Sequence, residues 1–111
     1  MKFDEFLERL DAIGIPYAEV EFEDNYDEEP PAPPYICYLY MEETRGPDMC
    51  PNKLVHIQVA LEVYTDHKDE ELINRVEKEV LYDVEYQKET SVISEENLIQ
   101  TNYDISIFKK N

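Results

Sequence analysis

The stretch from Leu54 to Thr65, which reads LVHIQVALEVYT, decides the fold of this chain. Apolar residues occupy every second position of the stretch. This period of two is that of a β-strand with one face in a core. The pattern therefore predicts one long strand. Its apolar side holds Val55, Ile57, Val59, Leu61 and Val63, and its opposite side holds His56, Gln58, Ala60, Glu62 and Tyr64.

Upstream of this strand, the sequence predicts a helix followed by two further strands. A stripe with helical spacing runs over residues 3–13, and Gly14 and Pro16 end it. Residues 15–22 change to a period of two, which predicts a half-buried strand. Residues 35–41, YICYLYM, are apolar or aromatic on both sides. This strand is therefore either central in the sheet or half-covered by another subunit, and it fits an antiparallel pairing with the long strand. The helical stripe comprises Phe3, Phe6, Leu7, Leu10 and Ile13.

Downstream, the sequence predicts a second helix and two more strands. Acidic residues at 66–71 suit the start of a helix, which is expected to end near Tyr82 and Asp83. A short strand over 84–88 and a last strand over about 98–108 follow. The order α-β-β-β-α-β-β predicts an α+β fold, a mostly antiparallel β-sheet with two helices packed on one face. The stripe of the second helix comprises Leu72, Ile73, Val76 and Val80, with Leu81 near its edge, whereas Arg75, Glu77, Lys78 and Glu79 are expected to face water. The expected core includes Phe6, Leu10, Ile57, Val59, Leu61, Val76 and Ile105.

One α+β domain is expected over residues 1–111, with an acidic, Pro-rich loop at 23–34. Like charges repel and prolines remove backbone donors, so this loop is predicted to be stiff and exposed. It lacks the Gly and the ligand spacing of a calcium loop. Cys37 and Cys50 make no disulfide framework, and we expect free thiols. The carboxylates of the loop are Glu23, Asp24, Asp27, Glu28 and Glu29.

The charge balance excludes several classes of function. Acidic residues number 27 and basic residues 10, so the formal net charge is −17. This balance argues against a sequence-reading nucleic-acid binder and against docking on an anionic membrane. Neither a membrane span nor a signal peptide is recognisable, so a soluble protein made in a cytoplasm is expected. No catalytic motif is present, and His56 and His67 lack metal-ligand spacing, so we expect no enzyme, no cofactor and no metal site.

The tyrosine content points to contacts with neighbouring molecules. The chain has nine Tyr and no Trp. Tyrosine is favoured where one end of the side chain is buried and the other is wet, as at protein interfaces. Ordinary packing at the edge of the core is the alternative. The candidate subunit interface comprises Tyr35, Tyr38, Tyr40, Tyr64, Arg75 and Lys68.

Several short runs resemble a known protein family. They are residues 33–39, PPYICYL, residues 61–69, LEVYTDHKD, and the runs 86–89, 93–98 and 103–107. Together they resemble a family of small proteins from tailed bacteriophages and prophages of Gram-positive bacteria. These are the tail terminator, or tail-completion, proteins of the head–tail joining region.

The resemblance implies a structural protein with a small α+β domain and no catalytic residues. Such proteins assemble as a ring, commonly a hexamer, that caps the tail tube and joins it to the head. The implied partners are further copies of the chain, the tail tube and head-completion proteins, and the implied location is the virion tail. DNA passes through the ring without being bound, which suits an acidic lumen that includes the loop carboxylates. Because acidic copies repel one another, we expect Lys53, Lys68, Arg75, Lys109 or Lys110 to face carboxylates across the contact.

A second function remains open from the sequence. Ordered carboxylates can imitate phosphates, so the chain could be an acidic DNA-mimicking inhibitor of a host nucleic-acid-binding enzyme. The loop carboxylates at 23–29 would then provide the phosphate-like spacing. The layout of charge distinguishes the two functions. A mimic needs rows of carboxylates on a convex face, whereas a ring protein confines them to the lumen and one rim.

Overall fold

The computed structural model describes residues 1–19, 32–42 and 54–110, which contain two helices and five strands. The elements are α1 (Phe3–Ile13), β1 (Tyr17–Glu19), β2 (Tyr35–Glu42), β3 (Leu54–Thr65), α2 (Glu70–Glu79), β4 (Tyr86–Ile93) and β5 (Leu98–Lys110). Their order is α-β-β-β-α-β-β and the fold class is α+β, which confirms the prediction.

The five strands form one mixed sheet in the order β1-β2-β3-β5-β4. β1 is parallel to β2, whereas the other neighbours are antiparallel, including the predicted pair of β2 and β3. The pairing of β3 with β5 runs from Leu54 opposite Lys110 to Thr65 opposite Ile99. β2 lies between β1 and β3, so its two apolar sides belong to a strand inside the sheet, one of the two positions predicted for it.

Both helices pack on one face of the sheet, which we call the helix face. The helical stripes and the period-two strands place their apolar sides toward each other, so that burial of this surface drives the packing. The seven predicted core residues are all buried. Ile73 is half-buried, and Leu81 lies deep in the core rather than at its edge. The core cluster comprises Phe3, Phe6, Leu10, Ile13, Ile36, Tyr38, Ile57, Val59, Leu61, Val63, Leu72, Val76, Val80, Leu81, Tyr103, Ile105 and Ile107.

Local sequence explains where the helices begin and end. α1 stops at Gly14, whose φ of 80° lies in the left-handed region that favours glycine. α2 begins after Asp69, whose Oδ1 accepts a hydrogen bond from the Leu72 backbone N–H at 3.1 Å. Such a cap satisfies a donor that the first turn leaves without a partner. The helix ends at Glu79, earlier than the predicted end near Tyr82.

The predicted bounds of β4 were also wrong. The sequence predicted a strand over 84–88, whereas β4 spans Tyr86–Ile93. Its side chains are exposed except for the half-buried Ile93. The alternation of buried and exposed residues that identifies a strand is therefore absent. Antiparallel pairing with β5, from Tyr86 opposite Ile105 to Ile93 opposite Leu98, sets the bounds instead.

Arg9 joins α1 to the turn after α2. Its Nη1 donates to the Val80 carbonyl at 2.8 Å and to Asp83 Oδ1 at 2.7 Å, and its Nη2 donates to the Tyr82 hydroxyl at 3.1 Å. The guanidinium also lies over the Tyr82 ring, 4.3 Å from its centroid. The Arg9 side chain is 10% exposed.

We expect Arg9→Met to lower the free energy of unfolding by about 1–2 kcal/mol, because it keeps the apolar stem but removes the donors to the Val80 carbonyl and its neighbours. Urea denaturation measures the change. The matched control is Lys78→Met on the exposed side of α2, which should cost less than about 0.5 kcal/mol. Equal losses in the two variants would contradict a role for Arg9 in holding α1 to this turn.

Candidate functional site

The sheet face opposite the helices, which we call the open face, carries the candidate site. Side chains alternate along each strand, so the open face carries the residues of β2, β3, β5 and β4 that lie between those facing the helices. The described Asp, Glu, Lys and Arg side chains of the open face are Glu62, Glu89 and Asp104, all of them carboxylates. These three carboxylates repel phosphates and favour neutral or basic partners.

An apolar strip crosses one end of the open face. Leu39, Met41 and Phe108 are 37%, 70% and 43% exposed. Leu39 lies opposite Ala60 of β3, and the Phe108 ring lies 5.3 Å from the imidazole of His56. These three side chains, which we call the apolar strip, lie on β2 and β5, on either side of β3. Exposed apolar side chains at one end of a face mark surfaces that contact other molecules.

The other end of the open face is built from tyrosines and a carboxylate. The rings of Tyr35 and Tyr64 stack with centroids 4.9 Å apart. The Tyr64 hydroxyl donates to Glu62 Oε2 at 2.7 Å, and Gln100 Nε2 donates to the Tyr64 hydroxyl at 2.9 Å. Burial, with the bond to Glu62, raises the pKa of Tyr64 although Gln100 acts the other way. The hydroxyl therefore stays protonated and orients the Glu62 carboxylate on this face.

Glu77 of α2 forms a polar cluster on the helix face, which we call the Glu77 cluster. Its carboxylate accepts hydrogen bonds from the Tyr103 hydroxyl at 2.7 Å, the Tyr86 hydroxyl at 3.0 Å and Lys88 Nζ at 2.7 Å. Burial acts to raise the pKa of Glu77, but the hydrogen bonds from Lys88, Tyr103 and Tyr86 outweigh it and lower the pKa. The prediction that Glu77 faces water was wrong, because its side chain is 23% exposed and turns toward β4 and β5. The cluster ties α2 to the sheet.

A groove of about 320 Å³ lies between the start of α2 and the hairpin of β4 and β5. Ile73 and Ile99 provide apolar walls, and Lys68 and Lys88 lie among its lining residues. Lys88 is held there by Glu77. The groove therefore opens beside β4, at the edge of the sheet.

The tyrosines predicted for the subunit interface lie largely inside the subunit. Tyr35, Tyr38 and Tyr64 are 8%, 7% and 9% exposed. Tyr38 packs its ring edge-on against Phe6 on the helix face, with centroids 5.8 Å apart. Tyr40 is half-buried, and its hydroxyl accepts from Lys109 Nζ at 3.0 Å. These contacts are those of packing at the edge of the core, the alternative that the sequence left open.

The predicted basic interface residues are spread over the fold. Arg75 Nη2 donates to the Ile13 carbonyl at 3.0 Å and Arg75 Nε donates to Glu79 Oε2 at 3.0 Å, so Arg75 links α2 to the end of α1. Lys68 points to solvent, with its Nζ 3.8 Å from Glu70.

Cys37 is buried in β2. Outside the described residues lie Glu23, Asp24, Asp27, Glu28, Glu29, Cys50 and Lys53.

Neither a metal cluster nor a membrane helix is present in the described ranges. Over residues 1–19, 32–42 and 54–110, no group of three or more His, Cys, Asp and Glu side chains could hold a metal ion. His56 contacts the Ser106 hydroxyl, and His67 Nδ1 lies 2.5 Å from Asp66 Oδ1. In the same ranges, neither helix has the length and apolar character to cross a bilayer.

Comparisons with family models, curated proteins and solved structures find no match to this chain. Function is therefore inferred from the geometry above and from the resemblance of the short sequence runs. The Glu77 cluster was not anticipated from the sequence, and the apolar strip was anticipated only for β2. The signal for the strip was present in β2, where Leu39 and Met41 continue an apolar side beyond Cys37.

Proposed function

We propose that this chain is a structural protein of a phage tail, a tail terminator or head–tail joining component that assembles as a ring on the tail tube. The observation that carries the proposal is the charge of the open face. Its described Asp, Glu, Lys and Arg side chains are the carboxylates of Glu62, Glu89 and Asp104. Duplex DNA must pass such a ring without being held, and carboxylates repel its phosphates. The part of the open face that carries these carboxylates would therefore line the lumen.

The apolar strip supports an assembling role. Copies that each carry a formal charge of −17 repel one another, so a stable contact needs salt screening and burial of apolar surface. Leu39, Met41 and Phe108 supply such surface. In this proposal the chain acts in the virion tail with further copies of itself, the tail tube and head-completion proteins, and it needs no cofactor.

Two double variants of matched charge test the open face as the lumen wall. Glu89→Lys with Asp104→Lys reverses charges on the open face, and Glu8→Lys with Asp11→Lys reverses as many on the exposed side of α1. Light scattering at low and high salt first establishes the assembly, whose mass should grow as salt screens the charge. Duplex DNA binding is then measured at the lowest salt concentration at which light scattering shows the assembly. We expect the open-face variant to bind DNA roughly tenfold more tightly than the α1 variant.

Equal DNA binding by the two variants would contradict the open face as the lumen wall. A salt-independent monomer would weigh against ring assembly in solution and would favour the second candidate, a DNA-mimicking inhibitor. The observation behind that candidate is a row of exposed carboxylates on α1, formed by Asp4, Glu8 and Asp11 at helical spacing. For a mimic, capture of a host DNA-binding enzyme should be lost in the α1 variant and kept in the open-face variant.

A further inference from the structure

We propose that two copies of this chain pair through β4, edge to edge and antiparallel, around a two-fold axis. The pairing goes beyond the proposed function and does not rest on it. β4 is the last strand of the sheet, and within the described part of the chain its one neighbour is β5. Its outer side is therefore a row of backbone N–H and C=O groups that another strand can join.

β4 has few of the features that normally prevent edge pairing. Its residues 86–93 contain neither Gly nor Pro, and its pairing with β5 runs without a bulge from Tyr86 to Ile93. A lysine on an edge strand usually repels an incoming strand. Here Lys88 turns toward α2, where its Nζ lies 2.7 Å from Glu77 Oε2. Val92 is 74% exposed on the same side of the sheet.

The charge of β4 favours a second copy as the partner. Residues 86–93 hold one basic side chain, Lys88, and one acidic side chain, Glu89, so the strand is formally neutral in a chain of net charge −17. The exposed side of α1, by contrast, carries Asp4, Glu8 and Asp11. Two copies therefore meet less repulsion along β4 than along that helix.

Symmetry and charge together disfavour two of the possible registers. Residues directly opposite in an antiparallel pair share a face, so a two-fold axis through the sheet places one residue opposite its own copy. Centring on Lys88 or Glu89 sets like charges opposite each other, which is destabilising. Centring on Thr90 instead sets threonine opposite threonine. This register also sets Lys88 opposite Val92 and Glu89 opposite Ser91.

The groove beside β4 gives the same register a place for an apolar side chain. Lys88 and Thr90 both line the groove, together with Ile73 and Ile99. In the Thr90 register, Val92 of the second copy lies opposite Lys88, at the mouth of the groove. Backbone hydrogen bonds with pockets for alternate side chains are the features of strand addition. A two-fold contact is closed, so it forms pairs, and a ring would assemble through other surfaces.

Cysteine cross-linking tests the register directly, with diamide as the oxidant and Cys50→Ser as the background. In the Thr90 register, two Thr90→Cys side chains face each other across the axis, within reach of a disulfide. Two Val92→Cys side chains are separated by about 13 Å along the strands and should not join. We expect Thr90→Cys to form cross-linked pairs at least tenfold faster than Val92→Cys. Equal rates would overturn the pairing.

Sedimentation equilibrium of two lysine variants gives an independent measurement. Thr90→Lys sets two positive charges opposite each other, whereas Ser91→Lys sets each lysine opposite Glu89 of the other copy. Both variants change the net charge equally. We expect a pairing constant about fivefold weaker for Thr90→Lys and an unchanged or tighter one for Ser91→Lys. Equal changes of the pairing constant in the two variants would overturn the proposal, and so would a wild-type protein that stays monomeric at high concentration. Because neither measurement uses DNA, failure of the pairing through equal cross-linking rates or equal shifts in the pairing constant is distinguishable from failure of the lumen proposal.

Discussion

Leu61→Ala is expected to lower the free energy of unfolding by about 2–5 kcal/mol. Leu61 is fully buried in β3, opposite Tyr38 of β2 and Tyr103 of β5 on the helix face. Truncation removes apolar contact and leaves a cavity between two large rings. Tyr103 is fixed by its bond to Glu77, so the site collapses poorly and the cost of the cavity stays high. Urea denaturation with linear extrapolation measures the loss.

A surface truncation provides the control for Leu61→Ala. Met41→Ala removes a side chain that is 70% exposed on the open face, and it should cost less than about 0.5 kcal/mol. Ile57→Ala, at a second fully buried position of β3, should behave like Leu61→Ala. Full stability in both core variants would contradict the assignment of this side of β3 to the core.

Glu77→Leu is expected to cost about 2–4 kcal/mol, since it removes the acceptor of a fully buried hydroxyl. The Tyr103 hydroxyl donates to Glu77 at 2.7 Å, and the Tyr103 side chain is 0% exposed. A buried donor without an acceptor keeps its full desolvation cost. Glu77→Gln retains an acceptor and should cost about 1 kcal/mol. The control is Glu71→Leu at an exposed position of the same helix. If it costs as much as Glu77→Leu, the Glu77 cluster does not stabilise the fold.

The pH dependence of stability provides a second measurement on Glu77. Hydrogen bonds from Lys88, Tyr103 and Tyr86 outweigh burial and lower its folded-state pKa below the ordinary value of 4.5. A lowered pKa means that the folded state favours the carboxylate. The stabilisation is therefore present above pH 4.5 and is lost as the pH falls through the folded-state pKa.

The difference in unfolding free energy between the wild type and Glu77→Gln should thus be constant above about pH 5 and shrink below it. The other carboxylates titrate in both proteins. Subtracting the unfolding free energy of the variant from that of the wild type therefore removes their contribution. A difference that grows as the pH falls would contradict the direction of the shift. Urea denaturation at a series of pH values between about 3 and 7 measures it.

Periodicity was enough to predict the core and the order of elements. In β3, the alternation of residues 54–65 determined both the bounds of the strand and its buried side. In α1, the stripe with Gly14 after it determined the helix and its end. These features are local, because the period of a strand or helix is a property of its own backbone. The burial of Phe6, Leu61 and Ile105 followed from them.

Tertiary contacts decided the parts that carry the functional proposals. β4 has no buried stripe, so pairing with β5 determined its bounds and left its outer edge open. Glu77 lies beside the apolar stripe of α2. Its partners Tyr86, Lys88 and Tyr103 reach it because the pairing of β4 with β5 places them under this helix. Strand-pairing registers bring side chains together that are distant in sequence, and the local periodicity of one strand or helix does not predict these registers.

The sequence by itself determined the fold class, the core and the acidic character of this protein, because an apolar period is a local property of the chain and net charge depends only on composition. The tertiary structure decided which carboxylates lie together. Pairing of β3 with β5 and of β5 with β4 placed Asp104 and Glu89 on the same side of the sheet as Glu62. It also turned Tyr38 inward against Phe6. Each strand has two sides, and packing against the helices determines which of them faces water.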